Sequence, residues 1–262
     1  NLICVNADQV PLFFESMGGQ LLPAARNIGL WAWEVEDFPS AMAGSELHLD
    51  EVWGISSFTA AALARSLTKP VRAFPLPVVV PELRRRTRAE LGMPDGFLFL
   101  FCFDYDSVFR RKNPLAVVAA FRQAFPERAG VVLYIKTTNA ERHAAEAEAL
   151  RAAAAGRVNI VIRDAYVTSA DYFSMLDACD CYVSLHRSEG FGLTVAEAMA
   201  LGKPVISTAY SATLEFANES NSFPVPARIV EVGDDAPPYP SHSRWAGPDV
   251  SAAAEQMVRV YT

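Results

Sequence analysis

The stretch HRSEGFGLTVAEAMALGKP, residues 186–204, places two glutamates, Glu189 and Glu197, at either end of a glycine-containing turn. The apolar run CYVSL just before it (181–185) predicts a strand. The run VAEAMAL that follows Thr194 predicts a helix. The turn therefore joins the carboxyl end of a strand to the beginning of a helix, which is where ligands bind in open α/β sheets.

Outward from this stretch, apolar runs alternate with helical patterns, which is typical of an α/β protein with a parallel sheet. In the first half, NLICVN (1–6) and VWGIS (52–56) predict strands of a less regular unit, with a helix over SFTAAALARSL (57–67). In the second half, strands are predicted at 97–103, 131–136, 158–163, 181–185 and 204–208.

A segment rich in Pro and Arg (70–96) separates the two halves, and we place a domain boundary inside it. The predicted domains are 1–85 and 86–262. The chain begins with Asn1 inside an apparent strand and not with Met, so we expect a fragment whose first domain is incomplete. The sequence contains no G-x-G-x-x-G, and a dinucleotide-binding motif therefore has no support.

The composition is that of a folded protein with a sizeable core. Of 262 residues, 51% are hydrophobic and 20% are charged. The net charge of −7 argues against a general nucleic-acid binder, so no nucleic-acid partner is predicted. The four cysteines include one close pair, Cys179 and Cys181, with no second pair or nearby histidine to complete a metal site. They favour reduced thiols in a cytoplasmic protein. No apolar run approaches the roughly 18 to 20 residues of a membrane span.

The glutamate-glycine turn has the chemistry of a pocket for a sugar joined to a phosphate. Gly190 and Gly192 allow a tight turn and a close approach of the backbone to a ligand. The helix behind them offers free N–H groups to phosphate oxygens, and the Glu189 carboxylate accepts hydrogen bonds from sugar hydroxyls. Thr194 and Glu197 also fit a capping box, so for Glu197 a cap and a ligand contact stay equally open.

A second loop of the same design follows the predicted strand FLFLFCF. Arg110, Arg111 and Lys112 come just before Asn113, which we predict as a helix N-cap with Pro114 at the first helical position. Three cations beside free backbone N–H groups predict an anion site at the same edge of the sheet. The alternative is a solvated basic face.

Two further side chains follow the strand CYVSL. Arg187 is placed either to reach a phosphate or to hold Glu189 in position. His186 falls on the alternating strand pattern and is expected to face the core. No spacing of Ser, His and Asp indicates a hydrolase.

Several of these segments resemble the retaining glycosyltransferases of family 4. EGFGLTVAE (189–197) is similar to the family's E-x7-E motif, and FRRKNPLAVVAAF (109–121) to its donor-phosphate loop and helix. WAWEVEDFP (31–39), DEVWGISSF (50–58) and EFANESNSF (215–223) resemble other parts of the same group. The resemblance implies a GT-B fold, with two Rossmann-like parallel-sheet domains of which the N-terminal one is incomplete.

The resemblance also implies a role for each matching position. Glu189 would hydrogen-bond hydroxyls of the donor hexose and Lys112 would neutralise the leaving diphosphate, which makes these two the catalytic residues. Thr194 would meet a phosphate and Glu197 the ribose hydroxyls, while the backbone of 190–193 approaches the sugar and diphosphate. The donor-binding residues are then Arg111, Arg187, Gly190, Phe191, Gly192, Leu193, Thr194 and Glu197.

The sequence departs from the family pattern at a few points. Where the family usually has an arginine five residues before the lysine, this chain has Ser107, and Arg110 or Arg111 is the candidate substitute. The Gly-rich loop of the first domain and the C-terminal helix that crosses back to it are missing. These departures predict a chain that binds the donor but turns it over poorly.

By resemblance, the chain would move a hexose, with a lean toward mannose, from a GDP- or UDP-hexose to a glycan or lipid-linked saccharide. Surface-polysaccharide assembly would be its context. The anomeric configuration would be retained, without metal or other cofactor. Localisation would be cytoplasmic, at the inner face of the membrane if the acceptor is lipid-linked, with peripheral membrane contact.

Three other interpretations remain at this point. Asp104 and Asp106 form a D-x-D pattern after a strand, which is the metal-binding pattern of the GT-A glycosyltransferases. A non-catalytic nucleotide-sugar binding module is the second. A sugar-nucleotide epimerase, which shares the GT-B architecture, is the third and weakest.

Overall fold

The computed structural model describes residues 1–21, 25–83, 86–126 and 130–262. The described residues of the first half form a four-stranded parallel sheet with the order β1-β2-β3-β4. Its strands are β1 (Leu2–Ile3), β2 (Ile28–Trp31), β3 (Glu51–Gly54) and β4 (Val71–Ala73). Of these strands β1 and β3 were predicted from the sequence, whereas β2, which contains Gly29, and β4, which lies in the segment rich in Pro and Arg, were not.

The second half forms a six-stranded parallel sheet, within the described residues, with the order β10-β9-β8-β5-β6-β7. Every strand predicted there is confirmed to within two residues at either end. The bounds are β5 (Phe97–Asp104), β6 (Val131–Thr138), β7 (Ile160–Asp164), β8 (Cys181–Ser184) and β9 (Val205–Thr208). The sixth strand, β10 (Phe223–Val225), was not predicted.

Helices cover both faces of the second sheet. In the described ranges the helices of the chain are α1 (Val10–Met17), α2 (Ser40–Ala43), α3 (Ser57–Ala64), α4 (Arg88–Leu91), α5 (Phe109–Lys112), α6 (Pro114–Ala124), α7 (Ala144–Ala154), α8 (Ser169–Ala178), α9 (Leu193–Ala200) and α10 (Val250–Tyr261). Phe99 and Phe101 pack in a cluster with residues of α6 and α10, whereas Leu98 and Leu100 pack with residues of α8 and α9. A strand that is apolar at every position is therefore buried on both faces, as expected of a central parallel strand.

A two-stranded antiparallel hairpin follows the second sheet and was not predicted. It consists of β11 (Ala227–Glu231) and β12 (Arg244–Pro248). Val232, Tyr239 and Trp245, in or between these strands, are buried in the same cluster as Trp31 and Trp33 of the first half. The hairpin therefore completes the core around the first sheet.

The α/β fold with two parallel sheets is confirmed. The predicted boundary between residues 85 and 86 falls where residues 84 and 85 lie outside the described ranges, and it stays a prediction. Among the helices that the structure describes, none has the length and apolar character needed to cross a bilayer.

Candidate active site

Two loops meet at the carboxyl edge of the second sheet, because β5 and β8 are neighbours in it. The loop after β5 leads into α5 and α6, and the loop after β8 carries the glutamate-glycine turn. The Asn113 amide donates to the carbonyl of Leu185 at 2.8 Å, and the Arg187 backbone N–H donates to the Arg111 carbonyl at 2.8 Å. Asn113 thus precedes α6 as predicted, but its side chain joins the loops and does not cap the helix.

The Glu189 carboxylate lies between two cations of the neighbouring loop. Lys112 Nζ is 2.6 Å from Glu189 Oε1, and an Arg111 guanidinium nitrogen is 3.0 Å from Oε2. Burial acts to raise the pKa of Glu189, but the charges of Lys112 and Arg111 outweigh it and lower this pKa to about 2. Glu189 is therefore a carboxylate at every physiological pH, suited to accept hydrogen bonds and not to donate a proton.

The two cations differ in how firmly they are held. Burial opposes the charge of Arg111, yet Glu189 raises the pKa of its guanidinium, which also donates to the carbonyls of Ser107 and Ser188 at 3.1 Å each. Among the residues that the structure describes, Lys112 Nζ makes one side-chain hydrogen bond, to Glu189. Burial lowers the pKa of Lys112, and that carboxylate opposes the effect. An anionic ligand can therefore bind Lys112 while breaking fewer hydrogen bonds of the site than binding to Arg111 would break.

Backbone strain marks the beginning of α5. Val108 has a φ of 61°, in a region that β-branched residues rarely adopt. Such strain costs on the order of 1–3 kcal/mol and is concentrated at functional sites. Here it turns the chain so that Arg111 and Lys112 approach Glu189.

Arg110 and Arg187 do not join this cluster. The guanidinium carbon of each lies 5.5 Å from the centroid of the Trp245 ring. Among the described residues, neither forms an ion pair with Glu189. The alternative in which Arg187 holds Glu189 in place is therefore wrong, since Arg111 and Lys112 do so.

His186 is fully buried, as expected from the strand pattern. Its Nδ1 lies 3.0 Å from the Ser184 hydroxyl and its Nε2 lies 3.4 Å from that of Thr213. Burial lowers the pKa of this imidazole to about 4, with a smaller opposing effect of Glu189. The neutral imidazole of His186 is therefore a buried structural group next to the glutamate-glycine turn.

The glycines of the turn are required by close contacts. A Cβ on Gly190 would lie 2.7 Å from the Trp33 carbonyl oxygen, and one on Gly192, at a φ of 87°, would lie 2.4 Å from a Thr213 methyl. The Thr59 hydroxyl is 3.1 Å from the Gly190 carbonyl oxygen and 2.8 Å from that of Trp33. The turn therefore lies directly against the loop that follows β2 and the start of α3.

The helix after the turn begins two residues earlier than predicted. It begins at Leu193 with Gly192 as its N-cap, so the predicted Thr194–Glu197 capping box is wrong. Glu197 Oε2 instead accepts a hydrogen bond from the Tyr172 hydroxyl at 2.7 Å. Phe191 is buried against Phe216, while Leu193 is exposed and Thr194 is partly exposed at the beginning of the helix.

Other contacts of the site were missed from the sequence. The Ser211 hydroxyl accepts a hydrogen bond from the Glu189 backbone N–H at 2.9 Å. The Tyr239 hydroxyl donates to Glu34 at 2.9 Å, and both side chains lie within electrostatic reach of Arg111. These residues lie far from the motif in the chain, and only the folded structure brings them to it.

The aspartates of the D-x-D pattern are engaged by neighbours. Asp104 accepts from the Asn139 amide at 2.7 Å, and Asp106 is bound by Arg142 at 2.6 Å and His143 at 2.8 Å. In the described ranges, no group of three or more His, Cys, Asp or Glu side chains is arranged to hold a metal ion.

The comparisons with known proteins agree with this geometry. The family model described as glycosyl transferases group 1 matches residues 95–230, just over half of the chain. A curated relative is the D-inositol 3-phosphate glycosyltransferase of Arthrobacter sp. (strain FB24). It is 31% identical over 135 residues, which are 51% of this chain and 31% of the relative.

Two solved structures are similar over nearly the whole chain. The UDP-forming trehalose-phosphate synthase of Burkholderia xenovorans has a TM-score of 0.72 at 12% identity and covers 100% of this chain and 66% of its own. The sucrose-phosphate synthase of Thermosynechococcus elongatus has a TM-score of 0.69 at 20% identity, covering 99% and 64%. The chain thus spans less than two thirds of these proteins. The predicted GT-B fold is confirmed, and the GT-A alternative is wrong.

Proposed function

The chain belongs to the group 1 glycosyl transferases, and from this premise we propose that it transfers a hexose from a nucleotide-diphosphate sugar to a saccharide acceptor. The observation that carries the proposal is the Glu189 carboxylate held between Lys112 and Arg111 at the carboxyl edge of the second sheet. It combines an acceptor for sugar hydroxyls with cations for a diphosphate in one place.

In the proposed reaction Lys112 is the cation that follows the leaving diphosphate. Charge grows on the phosphate oxygens as the bond to the anomeric carbon breaks, and a cation fixed beside them lowers the barrier. Arg111 keeps Glu189 in place through its bonds to Ser107 and Ser188. Glu189 binds hydroxyls of the hexose and stays ionised throughout.

The beginning of α9 completes the proposed donor site. The backbone from Gly190 to Leu193, including the buried Phe191, lies against the sugar and diphosphate, and Thr194 meets a phosphate oxygen at the positive end of the helix dipole. Glu197 binds the ribose hydroxyls from the next turn of the helix. We infer that Arg187, a predicted donor-binding residue, lies beside this donor site, because its guanidinium lies over the Trp245 ring.

Retention of configuration is proposed to follow from attack on the same face that the diphosphate leaves. The acceptor oxygen bonds to the anomeric carbon, the bond from that carbon to the phosphate oxygen breaks, and the acceptor proton passes to a phosphate oxygen. No side chain needs to act as a nucleophile. Glu189 is fully ionised and His186 is neutral and buried, which agrees with a site that leaves proton transfer to the substrates.

Partners and location are proposed on the same basis. The donor is a GDP- or UDP-hexose, mannose included, and UDP is tested first because the HepE protein of Anabaena was crystallised with UDP and glucose. The acceptor is a glycan or a lipid-linked saccharide of polysaccharide biosynthesis, reached in the cytoplasm at the inner face of the membrane. No metal ion is required.

The test is calorimetric titration of UDP, GDP and ADP, with and without their hexoses, each repeated in EDTA. We expect one nucleotide to bind in EDTA as well as without it, with an affinity changed by its sugar. Binding that disappears in EDTA would contradict the metal-free site. Donor binding without transfer to any of a panel of glycosides, and without donor hydrolysis, would support a non-catalytic binding module instead.

A further inference from the structure

The structure divides the run of cations before α6 into two groups. Arg111 and Arg110 are adjacent on α5, and neighbouring residues of a helix point about 100° apart. Arg111 accordingly reaches Glu189, whereas the Arg110 guanidinium lies over Trp245, 5.5 Å from the ring centroid. Arg187 lies over the same ring at the same distance.

A third arginine points to the same place. Arg228 of β11 is paired with Gly247 of β12, and Val230 is paired with Trp245. Since side chains alternate along a strand, Arg228 projects from the same face of the hairpin as Trp245. Its Nε lies 3.6 Å from the position that a Cβ on Gly247 would occupy. Three guanidinium groups therefore surround residues 245–247, and we call Arg110, Arg187 and Arg228 the arginine cluster.

The arginine cluster has little countercharge. Among the described residues, the carboxylate within ion-pair distance of the cluster is Asp235, which lies 4.0 Å from Arg110 and has a side chain that is 92% exposed. Elsewhere in the described part of the chain, no carboxylate lies within ion-pair distance of Arg187 or Arg228. Arg187 Nε is buried without a hydrogen-bond partner, although another nitrogen of that guanidinium donates to the Ala246 carbonyl at 3.2 Å.

Such an arrangement is unfavourable without an anion. Burial lowers the pKa of Arg187, and repulsion from Arg110 and Arg228 lowers it further. Guanidinium groups on an aromatic ring are held in position by cation–π attraction, and their planar forks match the oxygens of a phosphate. The geometry is that of an anion site separate from the Lys112–Glu189 pair.

We propose that the arginine cluster binds a phosphate group carried by the second substrate, the acceptor. The inference rests on the proposed function, in which Lys112 and Arg111 already serve the donor diphosphate. The cluster adjoins that donor site, because the Arg187 N–H bonds the Arg111 carbonyl at 2.8 Å. A phosphorylated acceptor bound there would have its phosphate on the arginine cluster and its hydroxyls toward the donor sugar.

The experiment titrates inorganic phosphate, glucose 6-phosphate and glucose into the full chain, with and without saturating UDP. The test variants are Arg228→Gln and Arg110→Gln. The matched control is Arg259→Gln, because the guanidinium of Arg259 also lies 5.5 Å from a ring, that of Phe223, but outside the cluster. Lys112→Ala is the donor-site comparison.

We expect both test variants to bind phosphate and glucose 6-phosphate about ten-fold more weakly, since each loses one charge-assisted bond. Arg259→Gln should bind them as the wild type does, and Arg228→Gln should bind UDP unchanged. Lys112→Ala should lose UDP affinity and keep phosphate affinity. Tighter binding of the sugar phosphate than of inorganic phosphate in the presence of UDP supports an acceptor site.

Phosphate binding that is absent from the wild type, or equal in Arg228→Gln and Arg259→Gln, overturns the proposal. Loss of UDP affinity in Arg228→Gln also overturns it, because the cluster would then belong to the donor site. Equal binding of both phosphates in the presence of UDP would overturn the assignment to an acceptor. If UDP fails to bind the wild type, the proposed function fails, while the phosphate titrations without UDP still report on the cluster.

Discussion

Glu189 and Glu197 are the two acids of one motif, eight positions apart, yet the structure gives them opposite surroundings. Two cations hold Glu189 and lower its pKa to about 2. Burial raises the pKa of Glu197, and the Tyr172 hydroxyl only partly opposes this effect. One glutamate is fixed as a carboxylate, and the other takes up a proton more readily than an ordinary glutamate.

The comparison shows that the spacing of the motif determines where the two glutamates lie, but not how readily each of them is ionised. Glu189 receives its cations from the loop after β5, and Glu197 receives its single partner from α8. The two cations and the hydroxyl therefore come from elements that lie outside the motif. The same residue type thus supplies the proposed sugar contact, with a permanent charge, and the proposed ribose contact, whose charge is held less firmly.

Replacing Glu189 should have the largest effect. Glu189→Gln keeps the shape but loses the charged acceptor for sugar hydroxyls, and we expect kcat/KM for the donor to fall roughly 10- to 100-fold. Steady-state assays of transfer or donor hydrolysis give the number, and cooperative thermal unfolding confirms the fold. Glu197→Gln is the matched control and should lose less. Wild-type turnover in Glu189→Gln would contradict the role of Glu189.

Replacing Lys112 should act on the diphosphate alone. We expect Lys112→Ala to weaken UDP binding roughly ten-fold, because a charge-assisted bond to a phosphate oxygen is lost. Uridine, which has no phosphate, should not distinguish the variant from the wild type. Lys203→Ala is the control, since Lys203 pairs with Asp177 outside the site. Unchanged UDP affinity in calorimetry would exclude Lys112 from the donor site.

Removing the Tyr172 hydroxyl should widen the difference between the two glutamates. That hydroxyl opposes the rise in the pKa of Glu197, so Tyr172→Phe should raise this pKa further. We expect UDP affinity to fall about three-fold at the acid end of a pH titration and to recover as the pH rises, because a higher pH restores the carboxylate. Tyr210→Phe, which removes a hydroxyl bonded to Glu36, is the matched control. A pH-independent loss would point to packing instead of charge.

Stability should depend on pH with opposite signs at the two positions. The raised pKa of Glu197 contributes stability below its ordinary pKa of 4.5 that is lost as the pH rises through the folded value. The lowered pKa of Glu189 contributes stability above 4.5 that is lost as the pH falls toward about 2.

The measurement is the Tm of the wild type against each glutamine variant from pH 3 to 8. Between pH 4 and 8, the Tm of Glu197→Gln should rise relative to that of the wild type. Between pH 5 and 3, the advantage of the wild type over Glu189→Gln should shrink. Parallel shifts in both variants would show that the surroundings do not separate the two acids.

The second sheet could be predicted from the sequence to a large extent, because its strands are apolar runs bounded by Gly, Pro and Asn. The convergence of the loops before Asn113 and after Leu185 followed from parallel topology alone. In the first sheet β1 and β3 were predicted, whereas β2 and β4 were missed. β2 contains a glycine, which weakens a strand pattern, and β4 lies in the segment rich in Pro and Arg.

The sequence could not predict which of the adjacent cations contacts Glu189 and which lies over Trp245. Arg110, Arg111 and Lys112 are equivalent in composition, and only the phase of α5, set by Val108 at a φ of 61°, sends Arg111 to Glu189 and Arg110 to Trp245. Gly192 took the N-cap position from Thr194 for a similar reason. Its left-handed backbone begins the helix earlier than side-chain capping rules suggest.

The hairpin also determines the order in which the chain can mature. Tyr239 and Trp245, which cover the same core as Trp31 and Trp33, emerge from the ribosome some 200 residues after them. Until then the first sheet has an exposed apolar face, the condition under which nascent chains associate wrongly. Residues 1–85 expressed alone should therefore aggregate. The two halves of this chain form separate sheets, but the first half needs the hairpin of the second half to cover its core.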